Sequence, residues 1–152
     1  MIDITLKVLI LKDANTVFNY LSDFRNDKFW RKEVNETQLN TKEMQLNAII
    51  TEDSFLSKKV PHYISVLTCT ELTPNQLIVC ETVPETKFKA KSTRQTIALP
   101  NKNQTKVIYR LQFELAIVKF GLGFALPKFI VQWYSLQIMK QYLAKLKGNL
   151  ER

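Results

Sequence analysis

The chain has 152 residues, 45% hydrophobic and 24% charged, proportions that suit a single soluble globular domain spanning 1–152 with a core or a modest cavity. Its net charge of +8 is spread over Arg25–Lys32, Lys58–Lys59, Lys87–Arg94 and the last helix. Charge so dispersed reads as a solvated surface, not a nucleic-acid groove, and the single histidine, His62, excludes any site built on a histidine pair.

Met1 leads straight into Ile2–Ile10, which alternates apolar and polar at period two and predicts a strand with one buried face. No signal peptide is expected there. Asp13 is placed to cap a helix whose buried stripe is Val17, Phe18, Leu21 and Phe24. Asn26–Lys32 predicts a short second helix or turn carrying Phe29 and Trp30. Residues 33–55 alternate weakly and predict two strands joined around Asn40–Glu43.

Strong strand signals follow at Tyr63–Leu72, Gln76–Val83, Phe88–Leu99 and Thr105–Ile117, separated by short turns rich in Pro and Asn. The tightest turns set Leu72 opposite Leu77, Val83 opposite Phe88 and Leu99 opposite Gln104. One face of this meander then collects Ile64, Val66, Leu72, Val79, Glu81, Val83, Phe88, Arg94, Tyr109, Leu111 and Phe113. The other collects mostly polar residues, with Cys69 and Cys80 opposite each other. Without a secretory context these two read as free, outward or edge thiols in a cytoplasmic protein.

The last helix is predicted over Leu126–Lys147, with Pro127 in its first turn and Gly148 just past its end. Phe129, Val131, Trp133, Leu136, Met139, Tyr142 and Leu146 are assigned to one broad apolar arc. The preceding stretch from Leu115 carries Lys119, Pro127 and Lys128 and changes period midway, so it reads as strand, loop and helix, not a membrane span.

The element order carries a resemblance. Asp13-Ala-Asn-Thr-Val-Phe18, Leu21-Ser-Asp-Phe24 with Trp30 beyond it, Phe120-Gly-Leu-Gly-Phe-Ala-Leu126 and Leu143-Ala-Lys-Leu-Lys147 resemble the START/birch-pollen-allergen superfamily (SRPBCC), in its polyketide cyclase/dehydrase-like branch. The resemblance spans nearly the whole chain, and its motifs are structural. It implies an α+β helix-grip fold: a curved antiparallel sheet wrapped around the C-terminal helix, with two short helices after the first strand and an apolar cavity between. The glycine-rich loop of the plant members is absent, since Gly121, Gly123 and Gly148 all lie in or after the final linker.

From pattern and resemblance together, the expected function is binding of an apolar, lipid-like or polycyclic small molecule between sheet and helix. The lining residues expected are Trp30, Glu81, Arg94, Tyr109, Leu111, Phe113, Phe129 and Trp133. Glu81 and Arg94 would either orient the polar end of the ligand or, more commonly for such residues, pair with each other near solvent. An enzymatic alternative is a cyclase or dehydratase using Glu81 as general acid/base, with Arg94 or Tyr109 stabilising charge on oxygen. A third is a module whose basic outer face binds a membrane surface or a protein, the apolar linker Lys119–Pro127 dipping into the interface. No metal and no cofactor are called for.

Overall fold

The computed structural model describes residues 1–101 and 103–152; Lys102, in the turn expected at Pro100–Asn103, lies outside the described residues. Its elements run β1 (Ile2–Ile10), α1 (Ala14–Ser22), a 3₁₀ turn (Phe24–Phe29), β2 (Val34–Leu39), β3 (Ile49–Ser54), β4 (Tyr63–Thr73), β5 (Leu77–Thr82), β6 (Ala90–Ala98), β7 (Thr105–Phe113), α2 (Ala116–Leu122) and α3 (Lys128–Leu150). The strands form one antiparallel sheet in the order β1-β7-β6-β5-β4-β3-β2, a half-barrel with α3 on its concave side. This is the helix-grip α+β architecture that the sequence implies.

Local chemistry explains the helix starts. Asp13 accepts a hydrogen bond from the Thr16 backbone N–H at 3.1 Å and from the Thr16 hydroxyl at 2.7 Å, capping α1. Asp23 does the same for the 3₁₀ turn through Arg25 N–H at 3.1 Å. Two cores result. One joins β1, β7 and α3 through Ile2, Ile4, Val107, Tyr109, Met139 and Leu146; the other lies beneath α1, joining Phe18 and Phe24 to Ile50, Leu67, Cys69, Ile78 and Cys80.

The structure corrects the expected register at two joints. Beside the β4–β5 turn Leu72 faces Ile78 and Thr73 faces Leu77, where the sequence sets Leu72 opposite Leu77, and the β5–β6 joint shifts with wider consequences. Leu99 N–H bonds to the Gln104 carbonyl and Arg94 pairs with Tyr109, as the tight turn between β6 and β7 predicts. Between β5 and β6, however, Cys80 faces Ser92 and Ile78 faces Arg94, one residue away from the expected pairing. The connection there is seven residues, 83–89, and does not fix parity as a tight turn would. Strand β5 and the part of β4 before the bulge at Thr70 therefore turn over together, while Leu72 beyond it keeps its inward side. Leu67, Cys69, Ile78, Cys80 and Thr82 face inward, while Ile64 and Glu81 are exposed. The two cysteines are buried, free and directly opposed, instead of standing outward.

Two smaller corrections concern the C-terminal part. The strand expected to reach Ile117 ends at Phe113, and residues 116–122, running into the linker, form α2, closed by Gly123 at φ 86, a backbone state that suits glycine. Helix α3 passes through Gly148 and ends at Leu150, because Leu146 and Leu150 continue its buried stripe.

The β4–β5 hairpin closes through Thr73 opposite Leu77, with Asn75 at φ 63 and a β-bulge at Thr70 that restores the Cys69–Cys80 pairing. A β-branched residue at this left-handed position is strained. Asn75→Val should lower stability by about 1–2 kcal/mol, and Asn75→Gly by much less, in urea denaturation.

Candidate functional site

A buried ion network organises the interior. Asp27, on the 3₁₀ turn, has no exposed surface, and Arg94 on β6 is 1% exposed. Arg94 Nη1 and Nη2 donate to the two Asp27 carboxylate oxygens at 2.9 and 2.6 Å, and Nη1 also donates to the Leu21 carbonyl at 2.8 Å. Its guanidinium lies 3.8 Å from the ring centre of Phe24, 5.0 Å from Trp30 and 5.5 Å from Tyr109. Aromatic faces at these distances favour a desolvated cation. Burial works against the Arg94 charge, yet Asp27 overcomes it and raises the pKa above the ordinary arginine value.

Arg31 extends the network to β3. It donates to Asp27 at 2.9 Å, to Glu33 at 2.8 and 3.1 Å, and to Glu52 at 3.1 and 3.2 Å. Ser54 steadies Glu52 with a hydroxyl donated at 3.0 Å. Tyr142, on α3, stands close enough to Glu33 for that carboxylate to act on it. Burial first, and Glu33 second, push its phenol well up, so it remains a protonated donor.

Beside this network lies a hollow of about 570 Å³ between the sheet's concave face and α3. Its polar end holds Arg31, Glu33, Glu52, Ser54 and Tyr142. Toward α2 it becomes apolar, walled by Phe55, Leu56, Phe88, Phe113 and Ile117. Leu111, Ile138 and Met139 line the stretch between. A volume of this size falls within the roughly 300–1,000 Å³ common for small-molecule sites, and an apolar wall with a few convergent polar groups matches their composition. Among the described residues, no group of three or more His, Cys, Asp or Glu is arranged to hold a metal ion.

The eight residues expected to line a site separate into three groups. Leu111 and Phe113 do line the hollow. Trp30, Arg94 and Tyr109 are buried behind it: Trp30 meets Tyr109 edge-on at 5.5 Å, both against the Arg94 guanidinium. Arg94 therefore neither reaches solvent nor pairs with Glu81. The last three stand elsewhere. Glu81 lies on the outer face, opposite Thr68 and Lys91, because of the one-residue shift described above. Phe129 and Trp133 are 73% and 63% exposed. At 3.6 residues per turn they lie roughly 160–200° around α3 from buried Val131, so the broad arc assigned to them was too wide.

Asp27, Arg31, Glu33 and Glu52 escape a reading by motif. Their one sequence signal is weak: Ile50, Glu52 and Ser54 alternate on one strand face, placing a carboxylate where the pattern asks for an apolar residue.

No protein-family model matches the chain, and no curated protein sequence matches it. Solved structures do. A START superfamily protein from Mycobacterium smegmatis superposes with a TM-score of 0.74 at 13% identity, over 98% of this chain and 97% of that one. The Zhui aromatase/cyclase from Streptomyces sp. R1128 gives 0.72 at 12% identity, over 99% and 93%. A conserved protein from Geobacillus kaustophilus gives 0.73 at 11%, over 97% and 94%. The chain thus shares the helix-grip fold of these solved structures, a START superfamily protein and an aromatase/cyclase among them. At such identities the likeness is one of fold.

Removing one partner from a buried charge pair strands the other. Arg94→Met should cost about 3–5 kcal/mol in folding stability, since Asp27 stays buried with a single guanidinium left. Combined with Asp27→Leu, the loss should be smaller than the sum of the single losses. Urea titrations of the four proteins measure this; strict additivity would mean the two side chains are not coupled.

Proposed function

We propose that the protein binds an apolar small molecule, lipid-like or polycyclic, in the hollow between the sheet and α3. The observation that carries the reading is the 570 Å³ space itself, apolar at the α2 end and polar at the Tyr142 end. A fold built only for stability would fill such a space, because each buried methylene left uncovered forgoes on the order of 1 kcal/mol. The neighbouring aromatase/cyclase fold supports the reading by analogy. The enzymatic alternative loses the residue that carried it, since Glu81 stands outside. The carboxylates that do line the hollow, Glu33 and Glu52, are both held by Arg31. Two buried free thiols fit a cytoplasmic setting.

Binding of the neutral dye Nile red, read as enhanced fluorescence, tests the container. Ala90→Phe places a ring in the hollow and leaves both cores untouched, so it should weaken dye binding by on the order of tenfold. Mild extraction followed by native mass spectrometry should retain a bound apolar molecule. An interior that excludes every dye would end this reading.

A specific feature favours a second surface role. Trp133 and Tyr134 are 63% and 60% exposed on the first half of α3, with Phe129 and Phe124 exposed alongside. From Leu115 to Leu150 the chain carries five lysines and no carboxylate. No helix among the described residues is long and apolar enough to cross a membrane. Exposed aromatics with basic flanks suit the interface of an anionic bilayer, and Tyr134 also lines the hollow, so docking there would bring the mouth to the lipid. Trp30 is buried and Trp133 exposed, so a blue shift of tryptophan emission on adding anionic vesicles would report Trp133. Salt should weaken this binding, and Phe129→Ser with Trp133→Ser should reduce it by about tenfold or more. Equal binding to neutral vesicles at high salt would refute it.

A further inference from the structure

The polar end of the hollow has a chemistry of its own, and it limits what a bound molecule can present there. Arg31 is the cation nearest the ligand space, and a guanidinium has five N–H donors. All five are used: Nε on Glu33, Nη1 on Asp27 and Glu52, Nη2 on Glu33 and Glu52. An incoming carboxylate or phosphate finds no free donor on it. The charge count points the same way. Asp27, Glu33 and Glu52 supply three carboxylates against the two guanidiniums of Arg31 and Arg94, leaving one formal negative charge in excess. Glu33 Oε2 is shielded from solvent and makes no well-formed hydrogen bond, the Tyr142 phenol being the donor that stands beside this carboxylate. A buried acceptor without a partner is costly, and a donor brought to it relieves the cost.

We infer that, given the container reading above, the hollow selects apolar molecules whose polar end is a hydrogen-bond donor, a hydroxyl or a protonated amine, and disfavours those ending in a carboxylate or phosphate. The donor sits at the Glu33–Tyr142 end of the hollow, and the tail runs past Leu111 and Met139 toward Phe88 and Phe113. An anionic end would be desolvated next to Glu33 and Glu52, where like charge opposes it. Lys32 and Lys89 also border the hollow, and both are exposed.

Lauryl alcohol, laurylamine and laurate share one tail and differ at the polar end, so displacement of Nile red by each isolates that end. Alcohol and amine should displace the dye with roughly tenfold or greater preference over laurate, the size expected when a buried acceptor is paired instead of opposed. In Glu33→Gln, which leaves Arg31 held by Asp27 and Glu52, the preference should shrink to about threefold or less. Amine strongly ahead of alcohol would assign the excess charge as the dominant cause; parity between them would assign the unpaired acceptor. Laurate binding as tightly as the alcohol, whether through Lys32, Lys89 or otherwise, overturns the inference and leaves the container intact. Failure of all three and of the dye overturns both.

Discussion

The interior of this protein depends on one fully buried carboxylate, Asp27, gripped by two guanidiniums. Ions removed from water are tolerated when geometry and hydrogen bonds recover the lost hydration, and each contact here is a constraint on the fold. Arg94 fixes the 3₁₀ turn over β6, and Arg31 ties the same turn to β3 through Glu52. Phe24 belongs to the core beneath α1, whereas Trp30 and Tyr109 belong to the core beneath α3. The Arg94 guanidinium touches all three rings, so it sits at the seam between the cores.

That arrangement also sets which end of the hollow is polar. The sheet's concave face is therefore divided: Arg94 and its aromatic neighbours fill one part, and the part bordered by Arg31, Glu33 and Glu52 is left open toward α2. The polarity gradient along the hollow follows from the position of the network, without any residue needing to be placed for a ligand alone.

Much of this was legible in the sequence where a short-range rule applied. Asp13 capping, the stripe of α1, the β6–β7 register and the long final helix all rest on contacts a few residues apart. Parity across residues 83–89 does not, because Thr86 anchors that connection by bonding back to the Val66 carbonyl, far away in sequence. One undetermined residue there turned Glu81 outward and Cys80 inward. The ion network was hidden for a related reason. Asp27 and Arg94 are 67 positions apart, and nothing local to either says that they meet.

Helix α3 shows how one element serves two surroundings. Its second half satisfies a single-sided rule: Met139, Tyr142, Leu143 and Leu146 are buried against the sheet while Lys140 and Lys145 face water. Its first half breaks that rule, with Val131 buried and Phe129, Trp133 and Tyr134 turned outward. Helical rotation forbids all four from sharing one face, so a fixed sheet on one side cannot cover them. Of the outward-turned residues, Tyr134 lines the hollow, together with Ile117 of α2. The five lysines and no carboxylate of this segment give its outer surface a positive field, whereas Glu33 and Glu52 lie at the polar end of the hollow within.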